Sequence, residues 1–343
     1  MPNHELNARP FARRVIPALL GIGVSLGLLW WALRGVSATD ILHHVTQAEL
    51  APLTIAVVLA TLTFPIRLIR WRFLLRDEAG QHYPAGPLWH AVALGFMANN
   101  ILPLRAGELV RSYTAARLAQ IRFTTVLSSI AVERIFDGLT IVALLTVALL
   151  SPDLPRSVTI GGVSVAHLAR MAGLIGGFGL LMAILILVAP LAAERLVHRV
   201  VPWPRAANRI VDLIEGVRQG LVVLRAPARL MLVVFWSFVL WLVNALAFYV
   251  GFASFDIPVS YFGALLMQGL LVLGISIPST PGFFGPFEAV IVAVLALYGV
   301  PADAAFTYAI SFHITSFVPI TLLGLWSLAR TPGGFQGLRQ ANL

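Results

Sequence analysis

Six stretches of this chain, 15–33, 50–69, 124–150, 167–192, 230–252 and 303–329, stay apolar for long enough to cross a bilayer. About 20 predominantly apolar residues span the ~30 Å hydrocarbon core as a helix, and an unclosed chain in lipid can satisfy its backbone only as a helix. Charge for a water-facing surface is also missing. Charged residues are 11% of the 343 and hydrophobic ones 59%, where soluble domains carry roughly 25% and 45–50%. The first window follows Arg9, Arg13 and Arg14 and precedes Val36-Ser37-Ala38, as a secretory leader would. It is longer than the roughly 7–15-residue core of a leader, so it reads as an uncleaved first helix.

Two further windows, 87–122 and 260–300, are apolar at first, then broken, then helical again. The breaks are Asn99-Asn100-Ile101-Leu102-Pro103-Leu104-Arg105-Ala106-Gly107-Glu108 and Ile277-Pro278-Ser279-Thr280-Pro281-Gly282-Phe283-Phe284-Gly285-Pro286-Phe287-Glu288. Proline removes a helical donor and clashes with the preceding turn, so Pro278, Pro281 and Pro286 cannot share one helix.

Arginine assigns the sides, since short cytoplasmic loops carry the excess of basic residues. All 24 basic residues are arginine. They concentrate at the N-terminus, in 67–76, in 194–229 and in the tail (Arg330, Arg339), whereas 34–49, 151–166 and 252–259 hold almost none. These sides agree only if each broken window enters and leaves on the same side. The expected fold is an all-α integral membrane bundle of six full spans plus two re-entrant helical hairpins, eight or more membrane segments in all. It is an inverted repeat of the kind found in transporters. The alternative is eight or more ordinary spans with proline kinks, against which stands the polarity of 108–122.

One membrane domain then covers 1–343: a first repeat at 15–150, an outer loop and the start of the second at 151–193, and its remainder at 230–329. Between them 194–229, with apolar residues interleaved among its arginines, reads as an interfacial amphipathic connector, and 330–343 as a cytoplasmic tail. Both termini are expected in the cytoplasm and the protein in the cytoplasmic membrane. The net charge of +9 belongs to this arginine pattern and to anionic headgroups, not to a nucleic-acid partner. With no cysteine, disulfides, zinc–thiolate sites and thiol catalysis are excluded.

Ionisable groups at membrane depth are costly and usually face a cavity or one another. Glu133 and Asp137 lie four apart on one helix face, and Arg134 can reach Asp137 from three residues before it. The triad carries one excess negative charge, so another cation is expected, with Arg105 and Arg111 as candidates. A structural salt-bridge cluster explains the triad equally well. Glu108 and Glu288 each close a break at a helix start, where N-capping and a place beside an anion site are both open. Arg67, Arg70, Arg72 and Arg76 around Trp71 read as snorkelling interface anchors. His313, beside Ser311, Thr315 and Ser316, reads as a hydrogen-bonded packing residue more readily than as a proton relay. There is no HExxH, GxSxG, P-loop or metal-spaced His/Asp cluster, so no catalytic residue, metal or cofactor is expected.

Three motifs in this order, NNILPLRAGELVRSY (99–113), AVERIFDGL (131–139) and PSTPGFFGPFEAV (278–290), follow RLIRWRFLLR (67–76). Together they resemble the flippase-like family typified by the transmembrane region of lysylphosphatidylglycerol synthases, over nearly the whole chain. The resemblance implies a lipid-translocating domain. It also implies a functional core of Arg105, Glu108, Arg111, Glu133, Arg134, Asp137, Pro281, Gly282, Gly285 and Glu288, to which the neighbouring Asn99 and Asn100 are added. The full-length synthases carry an aminoacyl-transferase domain that this sequence does not contain, so lysyl transfer is not expected of it. The expected function is movement of a polar-headed or phosphate-bearing lipid between leaflets, with membrane lipid as ligand and biosynthetic enzymes as possible partners. The alternative is an integral-membrane enzyme that modifies lipids or polyprenyl-linked glycans, or a scaffold subunit of such a complex.

Overall fold

The structure, a computed structural model, describes residues 22–77, 80–102, 106–154, 226–276 and 280–331, with short pieces between 159 and 204. The arginines before the first window and its first seven residues (15–21), most of the 167–192 window and most of the 194–229 connector lie outside these residues. So do Arg105 in the first break, Ile277, Pro278 and Ser279 in the second, and the tail.

Helix α1 (Ile22–Ala32) leads to the short α2 (Ala38–Gln47), whose N-terminus is capped by the Ser37 side chain. Then come α3 (Leu50–Leu74), α4 (Ala85–Ile101), α5 (Gly107–Leu118) and α6 (Phe123–Leu150). A two-residue antiparallel ribbon, β1 (Thr159–Ile160) with β2 (Val163–Ser164), follows. The second half holds α7 (Pro227–Ala253), α8 (Tyr261–Gly274), a 3-10 turn (Pro281–Phe283), α9 (Pro286–Leu297) and α10 (Ala302–Arg330).

Among the described residues three helices are long and apolar enough to cross a membrane: α3, α7 and α10. Their apolar windows are only about a quarter buried, so most of their surface has to face lipid. Helix α6 has 28 residues, but its middle carries Glu133, Arg134 and Asp137. The helices of the two broken windows are shorter. At 1.5 Å per residue, the 12 residues of α5 and of α9 reach about 18 Å, well short of the ~30 Å a span needs.

Each broken window folds back on itself. In the first, Asn99 pairs with Gly107 and Gly95 lies against Gly107 and Arg111, so α4 and α5 run antiparallel. A Cβ on Gly107 would run into the Gly95 carbonyl oxygen, and one on Gly95 would sit 2.7 Å from the Arg111 Cβ. Only paired glycines allow that approach. In the second, Gly274 lies against Val290 and Gly263 against Tyr298, so α8 and α9 form the matching hairpin.

Helices α3 and α7 run antiparallel along their whole length. The Glu49 amide donates to Ser254 O, Arg70 reaches Ser237, and Arg76 and Arg229 line one pocket. One end of the bundle therefore gathers Arg76 and Arg229, and the other holds the turn that joins α2 to α3 and the one that follows α7. Helix α4 packs on α10, where Asn100 meets Thr321 and Gly324 meets Met97. Helix α8 packs on α6, with Gly269 against Leu145. Exchanging the two halves of the chain interchanges these two contacts and preserves the α3–α7 pair.

Candidate functional site

The site is centred on α6, which carries Glu133 and Asp137 one turn apart, both buried. Glu133 is clamped by Arg111, whose Nη1 and Nη2 donate to its two carboxylate oxygens at 3.1 and 2.8 Å. Arg67 Nη1 donates to Glu133 Oε1 at 3.1 Å. Arg70 Nη1 donates to Asp137 Oδ1 at 2.6 Å and to Ser237 Oγ at 3.0 Å. Trp241 Nε1 donates to Asp137 Oδ1 at 3.0 Å. Arg111 also lies over the Trp71 ring, 3.9 Å from its centroid, and the Trp71 indole donates to Ser129.

Burying ions costs several kcal/mol each unless partners and hydrogen bonds offset the lost hydration. Here four helices, α3, α5, α6 and α7, supply those partners, and the planar Arg111 guanidinium meets Glu133 with two bonds at once.

The outer layer of the cluster is open. Arg134 bridges Glu108 Oε1 through Nε at 3.1 Å and Asp137 Oδ2 through Nη1 at 3.1 Å, with the Arg134 and Glu108 side chains 42% and 44% exposed. Four guanidiniums (Arg67, Arg70, Arg111, Arg134) face three carboxylates (Glu108, Glu133, Asp137), which leaves one excess positive charge among the described residues. The expected cation is thus present as Arg111 together with two residues of α3. The exposed member is Arg134, while both Nη atoms of Arg111 are engaged on Glu133.

This layer forms one wall of a cavity of about 310 Å³. Asn99, Asn100, Gly107 and Glu108 reach it from the first hairpin tip, and Ile275, Ser276 and Phe283 from the second; Trp241 closes it from α7. The tips adjoin, since a Cβ on Gly282 would lie 3.4 Å from Asn100 O. Asn100 itself donates to Thr321 of α10, and Asn99 accepts from the Gly107 amide. Asn99 thereby takes over the capping work at the start of α5, and Glu108 turns to Arg134 instead.

Pro281, Gly282, Gly285 and Glu288 build the second tip rather than the cavity wall. Pro281 is exposed; Gly282 and Gly285 are buried with φ of +71° and +98°. Glu288 is fully buried and does cap its helix, its Oε2 accepting from the Gly285 amide at 2.7 Å. Its other oxygen lies 2.6 Å from His313 Nδ1. The His313 ring is hydrogen-bonded, as its surroundings suggest, but to Glu288 and to Gly282 O, while the neighbouring Ser316 hydroxyl donates to His313 only at its backbone carbonyl.

The reading of Arg67, Arg70 and Trp71 as interface anchors is overturned. Helix α3 continues to Leu74, and these three residues are 7%, 0% and 0% exposed. Their spacing held the signal, because residues three and four apart share a helix face and the α6 triad lacked cations. Trp241 and Ser237 gave no sequence signal: they stand in an apolar helix and acquire a role only by lying opposite α6. No group of metal-binding side chains occurs among the described residues.

A profile of the lysylphosphatidylglycerol synthase TM region matches residues 18–324, and the chain belongs to that family. It is 26% identical, over 93% of its length, to a protein of the archaeon Haloferax volcanii named glycosyltransferase AglD, and spans 55% of that relative. It is 24% identical to a UPF0104 membrane protein of Methanothermobacter thermautotrophicus, covering 89% of this chain and 90% of the relative. A UPF0104 membrane protein of Pyrococcus horikoshii is 23% identical, with 91% and 95% covered. The protein is a helical membrane protein of this family.

Proposed function

We propose that this member of the family moves a lipid with a phosphate-bearing headgroup between the leaflets of the cytoplasmic membrane. The observation that carries the reading is the cavity where two hairpin tips and the open face of an overall cationic cluster come together. Helices too short to span, folded back from opposite ends of the bundle, place irregular backbone only where it lines a cavity, as lipid requires. The interchange of the α4–α10 and α6–α8 contacts between the halves supports an inverted repeat with six spans and two re-entrant hairpins. In that architecture a central site is reached from either side by rocking one repeat on the other. Arg134 offers the charge-assisted donors, Asn99 and Asn100 line the opposite wall, and Glu108 holds Arg134 when no headgroup is present. A volume of about 310 Å³ is at the low end for small-molecule sites, roughly 300–1,000 Å³. It suits a headgroup whose acyl chains stay in lipid.

The test is leaflet exchange of labelled phosphatidylglycerol in vesicles reconstituted with the full chain. Exchange faster than in protein-free vesicles, with the lipid chemically unchanged, supports the reading; exchange at the protein-free rate overturns it. The name of the Haloferax relative favours a second reading, a role in building lipid-linked glycans. Headgroup turnover by the purified protein in detergent would select that reading instead.

A further inference from the structure

We infer that Glu288 and His313 form a proton-binding site that holds the second hairpin tip closed and couples lipid movement to the proton gradient. This rests on the translocation reading above. The geometry counts the proton. His313 Nε2 lies 2.8 Å from Gly282 O, and a carbonyl only accepts, so Nε2 carries hydrogen. His313 Nδ1 lies 2.6 Å from Glu288 Oε1. A bare ring nitrogen facing a bare carboxylate would set lone pair against lone pair, so one further proton sits between them. It is either on the imidazole or on the carboxyl. Both groups are buried, His313 at 5% and Glu288 at 0% exposure. The ring is stacked between Phe287 and Phe284, with centroids at 4.0 and 4.4 Å.

What the pair grips is strained. Gly282, Phe283 and Gly285 all have positive φ, at +71°, +65° and +98°. A phenylalanine in that region is strained and persists only where its surroundings impose it. His313 holds the carbonyl of Gly282, and Glu288 Oε2 accepts from the amide of Gly285. The two hydrogen bonds thus bracket Phe283, which lines the cavity. Loss of the shared proton turns the Nδ1–Oε1 contact repulsive, separates the two side chains and frees the tip.

Few other charges surround the pair. Helices α1 and α8 carry none, α9 only Glu288 itself, and α4 only His90, which packs on Trp326 near the far end of α10. Helix α10 adds Asp303, paired with His44, and Arg330 at its last residue. Neither Glu288 nor His313 has a second ion-pair partner among the described residues. The charged wall of the cavity, Arg134 with Glu108, lies on the first hairpin's side.

The experiment sets a pH difference across vesicles reconstituted with the full chain and reads the steady-state leaflet ratio of labelled phosphatidylglycerol. One proton moved per lipid converts a one-unit difference into a ratio of up to about tenfold. That ratio should fall to unity in Glu288→Gln and His313→Gln, whatever their absolute rates. Exchange in the native protein with a ratio of unity, or an unchanged ratio in the variants, overturns the coupling. No exchange at all in the native protein overturns the translocation reading. The proton site is then judged separately, by infrared difference spectra of the detergent-solubilised protein recorded across a series of pH values. A coupled carboxyl and imidazole change that Glu288→Gln abolishes upholds the site, and its absence from the native protein rejects it.

Discussion

The two hairpin tips use one device, a Pro/Gly break followed by a helix that starts with glutamate, and they put it to opposite uses. In the first, Glu108 is half exposed and pairs with Arg134, and Asn99 receives the helix-start amide. In the second, Glu288 is buried, caps its own helix and meets a single histidine. The first tip stands against a cluster of at least six ionised side chains on α3, α5 and α6; the second has one shared proton amid aromatic rings. Similar local sequence therefore yields a charged, cavity-facing wall on one side and a closed latch on the other. Which one arises depends on the helix each tip packs against.

The largest contrast should appear on neutralising the two buried glutamates, Glu133 and Glu288. Glu133→Gln leaves Arg67, Arg70 and Arg111 facing one another around a neutral amide. Breaking a buried ion pair costs about 3–5 kcal/mol, so thermal unfolding in detergent should show a large loss of stability. Glu288→Gln keeps an oxygen to accept from Gly285 and an amide to pair with His313, so its loss should be much smaller. Equal losses would break the distinction between cluster and latch.

A second contrast tests the hairpins themselves. Gly107→Ala drives a Cβ onto the Gly95 backbone oxygen, which cannot yield without parting α4 from α5. Overpacking of this kind costs roughly 1–3 kcal/mol or more. In Gly274→Ala the new atom meets the Val290 side chain, which can turn aside, so its melting temperature should stay closer to that of the native protein. The reverse order would mean that the second hairpin, not the first, is the tightly locked one.

The smallest expected effect on stability is that of Glu108→Gln. An exposed ion pair is worth about 0–1 kcal/mol, so unfolding should barely move. Releasing Arg134 should still change capture of a phosphate-bearing lipid, read as the concentration dependence of exchange. An unaltered dependence would leave Arg134 a structural bridge.

Much of the architecture was legible along the chain. Long apolar windows, two proline-glycine breaks and the spacing of arginines express local constraints: helix length against bilayer thickness, missing backbone donors, and the cost of moving charge through lipid. The structure brings Arg76 and Arg229 to one end and forms both broken windows as paired short helices. Glu133, Arg134 and Asp137 were legible as a cluster because they are neighbours on one helix face. What tertiary structure alone decided is who answers them. Arg67 and Arg70 look like interface anchors until α3 is seen to continue past them and lie against α6. Trp241 and Ser237 become polar partners only through the crossing of α7. His313 and Glu288 meet across 25 residues of chain because α9 and α10 fold against each other. Periodicity tells which residues share a face of one helix; the pairing of a buried charge or a proton depends on which face of another helix lies opposite.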